Sequence, residues 1–379
     1  MNFELSDEQV LLREAARDAL SRVATVEAAR AALEGEPLPD LWPTASRAGW
    51  TGLLIGEERG GAGLGALDAM LVALESGRVL AGVALLGHLP ATALLDADGG
   101  DAALLSRLAS GAARAAYVPA RPGDDRDPAW TAEPRAGKRR APAPKLTIAD
   151  GEAAVTGTVS WVPDAIGADV LVVVGVDGHG APHAVALDPE GGGVELEAAA
   201  GYDGTRRLAH LTFFGASGRL LDVDAGELAN AWYLAHALIA AESLGAVEEA
   251  LARAVEYAKE RYTFGRPIGS YQAVKHALTE VLRRQENTRS LLYYAGWARQ
   301  DAPAEFAVAA SAARASAGAA LDFAARELIS VHGGIGATWE HDAPLFFRRA
   351  QLSRRLLGGT ADATDRVAGE LLSRAVAGA

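Results

Sequence analysis

The stretch that decides the fold covers residues 250–277 and reads ALARAVEYAKERYTFGRPIGSYQAVKHA. Apolar residues recur at three- and four-residue steps through its first part, which predicts an amphipathic helix. Gly265 and Pro267 interrupt this period, and it restarts at Val274. The stretch therefore predicts two long helices that are joined by a turn over residues 263–269.

The corner between these helices is unusually rich in functional groups. It holds two guanidinium groups, two aromatic rings and an amide, from Arg261, Tyr262, Phe264, Arg266 and Gln272. A helix hairpin needs only glycine and a polar residue at such a corner. The residues alone leave open whether the corner is merely solvated, with one phenylalanine packed beneath it, or binds a ligand.

Composition limits the possible functions. The chain has 379 residues, half of them apolar, which is enough for two or three domains. Its net charge of -13 argues against a nucleic-acid-binding surface. No segment approaches the roughly 20 apolar residues of a membrane span, and the acidic N-terminus is unlike a signal peptide. We therefore expect a cytoplasmic protein.

Cysteine and histidine usage excludes further kinds of site. The chain has no cysteine, so disulfides, thiolate catalysis and cysteine metal sites are ruled out. Its eight histidines include no pair at ligand spacing within a helix, and His179 and His183 stand among Gly and Pro. We expect no metal site.

The periodicity divides the chain into three blocks. Residues 1–114 and 219–379 have helical periods, and residues 115–218 contain about seven short β-branched segments typical of an antiparallel barrel or sandwich. A segment rich in Pro, Gly and charge, residues 122–144, predicts a long loop. The GGIG motif at residues 333–336 follows a helix rather than a strand, so a Rossmann domain is not supported.

Two motifs resemble a known family. The segment RYTFGRPIGSYQAVKHALTEV resembles the flavin-contacting segment of the acyl-CoA dehydrogenases, and ELISVHGGIGATWEHDAPLFFRRA (327–350) is similar to that family's glycine motif. With FELSDEQVLLREAARDAL and AGWTGLLIGEERGGAGLG, the resemblance covers nearly the whole chain. It implies an α+β fold with an N-terminal helical domain, a middle antiparallel β-barrel and a C-terminal four-helix bundle, bounded at residues 1–114, 115–218 and 219–379.

The resemblance also implies a cofactor and its binding residues. Members of the family are flavoproteins that bind FAD at subunit interfaces, so we expect FAD and a dimer or tetramer. The adenine and pyrophosphate of a neighbouring subunit's FAD would contact one group of side chains, Arg261, Phe264 and Gln272. The backbone at Gly333, Gly334 and Gly336 would approach the same cofactor, Thr360 would lie near its adenosine, and Trp161 would pack on its ring or be a core aromatic.

The middle block departs from the family pattern. Where relatives have a Thr-Glu-Pro-Gly loop, this chain has YVPARPGDDRD, which keeps only Pro122 and Gly123. Where relatives have a Thr or Ser near the flavin ring, two residues after the tryptophan, this chain has Pro163. Proline has neither a hydroxyl nor an amide hydrogen to donate. A flavin held by this chain's own β-block is therefore in doubt.

The family's catalytic carboxylate is also missing. It removes a proton from the carbon next to the thioester while a hydride leaves for the flavin. Relatives carry it as a Glu either before the Gly-Thr that follows the glycine motif or ten residues before a glycine on the preceding long helix. These places hold Gly358 and Ala235 here. Weak substitutes are Glu242, Asp362 and the pair Glu340 and His341, each of which also fits a cap or a surface charge.

Three hypotheses follow from the resemblance. The first is a base-lacking subunit of a heteromeric acyl-CoA dehydrogenase, as in some bacterial pathways for steroid side chains, which completes the FAD site of a related subunit. The second is a homo-oligomeric dehydrogenase with a relocated acid, and the third is a non-catalytic scaffold. The acyl group and the electron acceptor stay undetermined. On the first hypothesis, Gly358 leaves room for a bulkier acyl group, and Gly358→Glu restores some turnover if flavin is bound.

Overall fold

The computed structural model describes residues 4–23, 25–123, 128–132 and 140–377. Helices come first, a sheet follows, and helices form the remainder of the chain. This order agrees with the predicted fold class. Within the described residues, no helix combines the length and the apolar character needed to cross a bilayer.

Within the described part of the first block, six α-helices occur. The first begins at a capping box, in which the Ser6 side chain accepts from the Gln9 backbone N–H and the Gln9 side chain accepts from the Ser6 N–H. The helices are α1 (Asp7–Ser21), α2 (Thr25–Leu33), α3 (Trp42–Arg47), α4 (Ala66–Arg78), α5 (Leu85–Ala97) and α6 (Ala102–Ala109).

The middle block is a seven-stranded sheet with a separate small hairpin. The strands are β1 (Ala115–Val118), β2 (Trp130–Ala132), β3 (Arg140–Pro142), β4 (Lys145–Ala149), β5 (Glu152–Pro163), β6 (Val170–Val176), β7 (Pro182–Leu187), β8 (Val194–Ala198) and β9 (Leu208–Leu220). Strand pairings run from β4 to β5, β9, β7 and β6 and back to β4, which closes a ring. The sheet is thus barrel-like, as predicted.

Two expectations for this block were wrong. The sheet is mixed rather than purely antiparallel, because β1 lies parallel to β6 and β4 pairs with β6 in the parallel sense. The predicted long loop over 122–144 contains strands: β2 pairs antiparallel with β3, and Trp130 bridges to Arg121 just before the segment. Two parts of that predicted loop, residues 124–127 and 133–139, lie outside the described residues.

Long helices dominate the last block. They are α7 (Ala225–Glu260), α8 (Gln272–Asp301), α9 (Pro303–His332), α10 (Ala343–Ser353) and α11 (Gly359–Ala377). Helix α7 begins at Asp224, whose side chain accepts from the Glu227 N–H. Helix α7 packs against α8 and α9, α11 packs against α9, and α4 of the first block also packs against α7. Helix α7 therefore joins the two helical blocks.

Glycine makes the contact between α4 and α7 possible. A Cβ added at Gly77 of α4 would lie 1.9 Å from the backbone oxygen of Glu242, and one added at Gly245 of α7 would lie 1.8 Å from that of Leu74. Such distances are far below van der Waals contact, so the two backbones touch where side chains would separate them. The middle of α7 is consequently fixed against the first block.

Candidate functional site

The corner between α7 and α8 is a small hairpin of β10 (Tyr262–Thr263) and β11 (Arg266–Pro267). Its two central residues both have positive φ, 50° at Phe264 and 79° at Gly265, as a two-residue type I′ turn requires. The Phe264 side chain is 95% exposed. A bulky aromatic held in the left-handed region and turned to solvent gains nothing from this chain's own core.

The polar residues of the corner are exposed too. Arg261 and Gln272 both face solvent. The Arg266 guanidinium lies over the Tyr271 ring, 4.1 Å from its centroid, and the Tyr271 hydroxyl donates to the Thr263 carbonyl at 3.1 Å. The hairpin is therefore braced by Arg266 and Tyr271, while Arg261 and Gln272 stay open to a ligand or a partner.

The glycine motif meets the corner at one end of the molecule. Tyr257, in the last turn of α7, stacks on His332, the last residue of α9, with 4.1 Å between ring centroids. A Cβ at Gly333 or Gly334 would have no neighbour within 4 Å, so both backbones are open. Gly336 differs, because a Cβ there would lie 2.7 Å from His332 and from the Ile329 carbonyl oxygen. Gly336 thus permits packing of the turn itself.

A cavity of about 520 Å³ lies elsewhere, between the sheet and the helices α7 and α10. Its wall is largely apolar and includes three tryptophans, with Trp161 from β5 among them and Gly358 at one end. The lining residues include Trp130, Trp161, Trp232, Phe347, Leu356 and Gly358. Thr360 follows Gly358 at the start of α11, where its methyl group fills the space above Gly318 of α9.

The corner and the cavity are two separate regions of the chain. Trp232 lines the cavity near the start of α7, and Arg261 caps the other end of that helix. At 1.5 Å per residue, they are about 40 Å apart along the helix axis. The predicted cofactor residues are therefore not brought together: one group lies at the corner and glycine motif, Trp161 lines the cavity, and Thr360 packs against Gly318 of α9.

Three donors that line the cavity lack partners. Among the described residues, the Ser160 hydroxyl and the indole N–H groups of Trp161 and Trp232 are buried and have no hydrogen-bond partner. Unpaired buried donors are costly, so their presence favours a bound group that carries acceptor atoms. Trp161 has φ 59°, a strained value for an aromatic residue. These features fit a flavin ring, which has carbonyl acceptors, whereas the buried Pro163 has no donor to offer.

The position of the missing base is filled by this chain itself. A Cβ at Gly358 would lie 2.7 Å from Cη2 of Trp130 and 3.0 Å from Cβ of Asp362. Leu357, Gly358 and Gly359 also have positive φ values of 52°, 77° and 72°. The expectation that Gly358 leaves room for a bulkier acyl group was wrong, because an indole occupies that room.

The alternative base position is sealed as well. Ala235 is 1% exposed and lies in the core. The next residue, His236, is fully buried, and its Nε2–H donates to the carbonyl of Leu357 at 3.0 Å. Burial and the positive charges of Arg314 and Arg121 lower the pKa of His236 to about 3. His236 is thus a neutral imidazole that links α7 to the turn at Gly358.

Asp362 lies beside the base position but is engaged in ion pairs. Its Oδ2 is 3.4 Å from Nε of Arg121, and its Oδ1 accepts from Arg140 at 3.1 Å. The carboxylate is 6% exposed. The Arg140 guanidinium lies 4.4 Å from the centroid of the Trp130 ring, so the ion pairs and the indole form one assembly. Asp362 therefore fastens the β2–β3 hairpin to α11.

Glu242 belongs to a buried charge cluster away from the cavity. Its carboxylate accepts from Arg206 and lies 3.9 Å from Arg349. Arg349 in turn donates to Asp203 at 2.8 Å. The side chains of Arg206, Arg349 and Asp203 are at most 2% exposed. This cluster joins α7, α10 and the loop before β9, which is a structural arrangement.

The last two predicted substitutes lie near the corner. His341 packs against His332 with 4.4 Å between ring centroids, and its Nδ1 accepts from the Ala343 N–H at 3.1 Å. Glu340 is exposed. Both residues lie at the end of α7 that is far from the cavity. The His341 side chain accepts a hydrogen bond from the first residue of α10. Among the described residues, no group of three metal-binding side chains occurs.

Sequence reasoning missed three residues that shape the cavity end: Trp130, Trp232 and His236. The two indoles meet edge to face with 5.8 Å between centroids, and Trp232 packs on His236 at 5.1 Å. One signal was present in the sequence. Trp232 lies one helical turn before Ala235 and His236 directly follows it, so both are helical neighbours of an expected base position.

Comparisons with known proteins give the family of the chain. Two family models match, "Acyl-CoA dehydrogenase, N-terminal domain" over residues 6–116 and "Acyl-CoA dehydrogenase, C-terminal domain" over 232–372. The acyl-CoA dehydrogenase IpdE2 of Mycobacterium tuberculosis (strain ATCC 25618 / H37Rv) is 33% identical over 376 residues, which cover 96% of this chain and 98% of the relative.

Solved structures share the fold over the whole chain. A structure described as "Tcur3481-Tcur3483 steroid ACAD G363A variant" has a TM-score of 0.86 and 26% identity, and covers 98% of this chain and 99% of that one. The ChsE4-ChsE5 complex from Mycobacterium tuberculosis has a TM-score of 0.83 and 24% identity, with the same coverage.

Proposed function

Because the chain belongs to the acyl-CoA dehydrogenase family, we propose that it is the base-lacking subunit of a heteromeric acyl-CoA dehydrogenase. It completes the FAD site of a related subunit, and that subunit supplies the carboxylate. The observation that carries the proposal is the closure at Gly358, where Trp130 leaves no space even for a Cβ. Ala235, the other family position, is sealed in the core.

The corner is the part of this chain that serves the partner's site. FAD is the cofactor of the family, and when bound it accepts the hydride from the acyl chain. Arg261 would offer a guanidinium to the pyrophosphate, Gln272 an amide, and Phe264 an aromatic face. Gly333 and Gly334 would let the same cofactor approach the backbone, because a side chain there would occupy open space.

Two further observations support a second chain. The corner lies about 40 Å from the cavity of its own chain, so one flavin cannot contact both. Phe264, Tyr262 and Ile335 are 95%, 61% and 54% exposed, which is typical of a surface that another subunit covers. Two similar structures are described as pairs of differently named proteins, ChsE4-ChsE5 and Tcur3481-Tcur3483.

The substrate of the assembled enzyme is an acyl-CoA thioester, and the reaction is α,β-dehydrogenation. A relocated acid is the weaker alternative. Glu242 is ion-paired with Arg206 in a buried cluster that does not line the cavity. Both oxygens of Asp362 contact arginines. A carboxylate held in this way must leave its partners before it can take a proton.

Co-expression with a base-bearing relative, such as the product of a neighbouring gene, tests the proposal. We expect bound FAD and acyl-CoA oxidation with an artificial electron acceptor only in the mixed complex. Arg261→Ala with Gln272→Ala in this chain lowers bound flavin, while Arg283→Ala, an exposed arginine of the same helix, does not. Flavin that is retained by the corner variant, or a mixed complex that never binds flavin, overturns the proposal; the latter outcome favours a scaffold.

A further inference from the structure

The position of the missing base holds a specific side chain, and that side chain has a consequence of its own. We propose that Trp130 determines that this site carries no carboxylate: it occupies the volume a base would need, so that loss of the Glu cannot be reversed by restoring it alone. This inference rests on the proposed function and names the residue that enforces it.

A side chain at residue 358 cannot be accommodated unless a neighbouring group shifts. The distance of 2.7 Å from a Cβ at this position to Cη2 of Trp130 lies below the range of real carbon contacts. The Cβ of Asp362 closes the adjacent side at 3.0 Å. A glutamate at residue 358 must therefore displace the indole before its carboxylate reaches the cavity.

The Trp130 indole is held in this place by two neighbouring side chains, Trp232 and Arg140. It is 6% exposed, its edge meets Trp232, and its face is covered by Arg140. Arg140 is itself bound to Asp362 of α11. The backbone is fixed as well, because the Trp130 carbonyl accepts from the Arg121 N–H at 2.7 Å. The indole is thus a packed wall of the site.

A second geometric feature points the same way. Residues 357–359 all have positive φ, and His236 donates to the carbonyl of Leu357. This backbone directs the Cβ position of residue 358 toward Trp130. Glycine at 358 and tryptophan at 130 therefore form a coupled pair: the glycine makes the tryptophan possible, and the tryptophan makes any other residue at 358 costly.

The test is a double-mutant cycle on the chain alone, without flavin. Gly358→Ala adds only the Cβ, and it is measured in the wild-type and Trp130→Ala backgrounds by thermal unfolding. Backbone strain at φ 77° is common to both backgrounds, so only the clash differs. We expect Gly358→Ala to lower Tm by about 2 °C or more beyond its effect without the indole. Trp130→Phe, which removes the ring edge nearest Gly358, supplies a milder background if Trp130→Ala does not fold.

A second arm measures the chemical consequence. Acyl-CoA turnover with added FAD and an artificial acceptor is compared in the mixed complex, with the partner's base replaced by Gln so that it supplies no background, for Gly358→Glu, for Gly358→Glu with Trp130→Ala, and for the matched control Gly358→Gln with Trp130→Ala. We expect turnover only in the second protein. Equal thermal costs in the two backgrounds, turnover by Gly358→Glu alone, or a silent double variant overturns the inference. The thermal arm decides even if the wild-type chain alone proves active, which would contradict the proposed function.

Discussion

The two ends of α7 differ in how far this chain itself fills the space around them. At its beginning, Trp232 and His236 are buried, and every group around Gly358 is held by this chain. At its end, Phe264 is almost fully exposed, and Gly333 and Gly334 border open space. The base position is packed by this chain, although it borders a cavity of about 520 Å³, whereas the corner is left open. The helix thus carries a closed half-site and an open one.

Glycine illustrates the difference. At Gly358 the missing side chain is replaced at once by an indole of the same chain, while at Gly333 and Gly334 nothing from this chain approaches. The same residue type thus serves internal packing at one end and access from outside at the other. A glycine motif by itself does not say which role applies.

The largest expected effect on the free energy of unfolding concerns the charge cluster at the middle of α7. Glu242→Gln leaves the buried guanidinium groups of Arg206 and Arg349 without one of their counter-charges. Breaking a buried ion pair in this way should cost about 3 kcal/mol in the free energy of unfolding. Urea unfolding measures the change.

The matched control is Glu256→Gln, which changes an exposed residue of the same helix and should leave the free energy of unfolding within about 0.5 kcal/mol of wild type. If Glu242→Gln folds as stably as wild type and abolishes acyl-CoA turnover, Glu242 is a relocated base and the closed half-site is catalytic. Such a result would remove the distinction between the closed beginning and the open end of α7.

Acid sensitivity is the next prediction and concerns two buried histidines, His236 near the beginning of α7 and His88 in α5. Burial lowers the pKa of His236 to about 3 and that of His88 to about 4. Both imidazoles stay neutral when folded but take up a proton near pH 6.5 when unfolded. Their stabilising contribution is complete above that pH and is lost as the pH falls toward 4, by about 1.4 kcal/mol per pH unit for each residue.

Urea unfolding between pH 7 and pH 4.5 measures this slope. His236→Gln keeps a donor for the Leu357 carbonyl and should reduce the slope by one proton. His179→Gln, at an exposed position, should leave it unchanged. An unchanged slope in His236→Gln means that this imidazole is not held neutral, and that the cavity end is less tightly packed than described.

Much of the fold was predictable because local periodicity carries it. The corner, the long helices and the strand segments follow from apolar spacing, Gly and Pro. The β2–β3 hairpin was missed because its segment is rich in Pro, Gly and charge. The contact between Trp130 and Gly358 was missed for another reason: it joins positions far apart in sequence, and only tertiary packing places an indole where a base is expected.

The smallest effect is expected at the open half-site. Arg261→Ala with Gln272→Ala removes two exposed side chains whose neighbours already brace the hairpin. The free energy of unfolding of the flavin-free protein should stay within about 0.5 kcal/mol of wild type. Substantial unfolding of this variant would mean that the corner supports the fold and would remove the contrast between the two ends.

The most direct test of the proposed base-lacking role is the activity of the homogeneous chain. The purified protein is assayed with a panel of acyl-CoA thioesters, added FAD and an artificial electron acceptor. We expect the turnover of the chain alone to be at least about 10²-fold below that of the complex with a base-bearing subunit, because a positioned base is absent. Robust turnover by the chain alone, lost in Asp362→Asn or Glu242→Gln, would contradict the account.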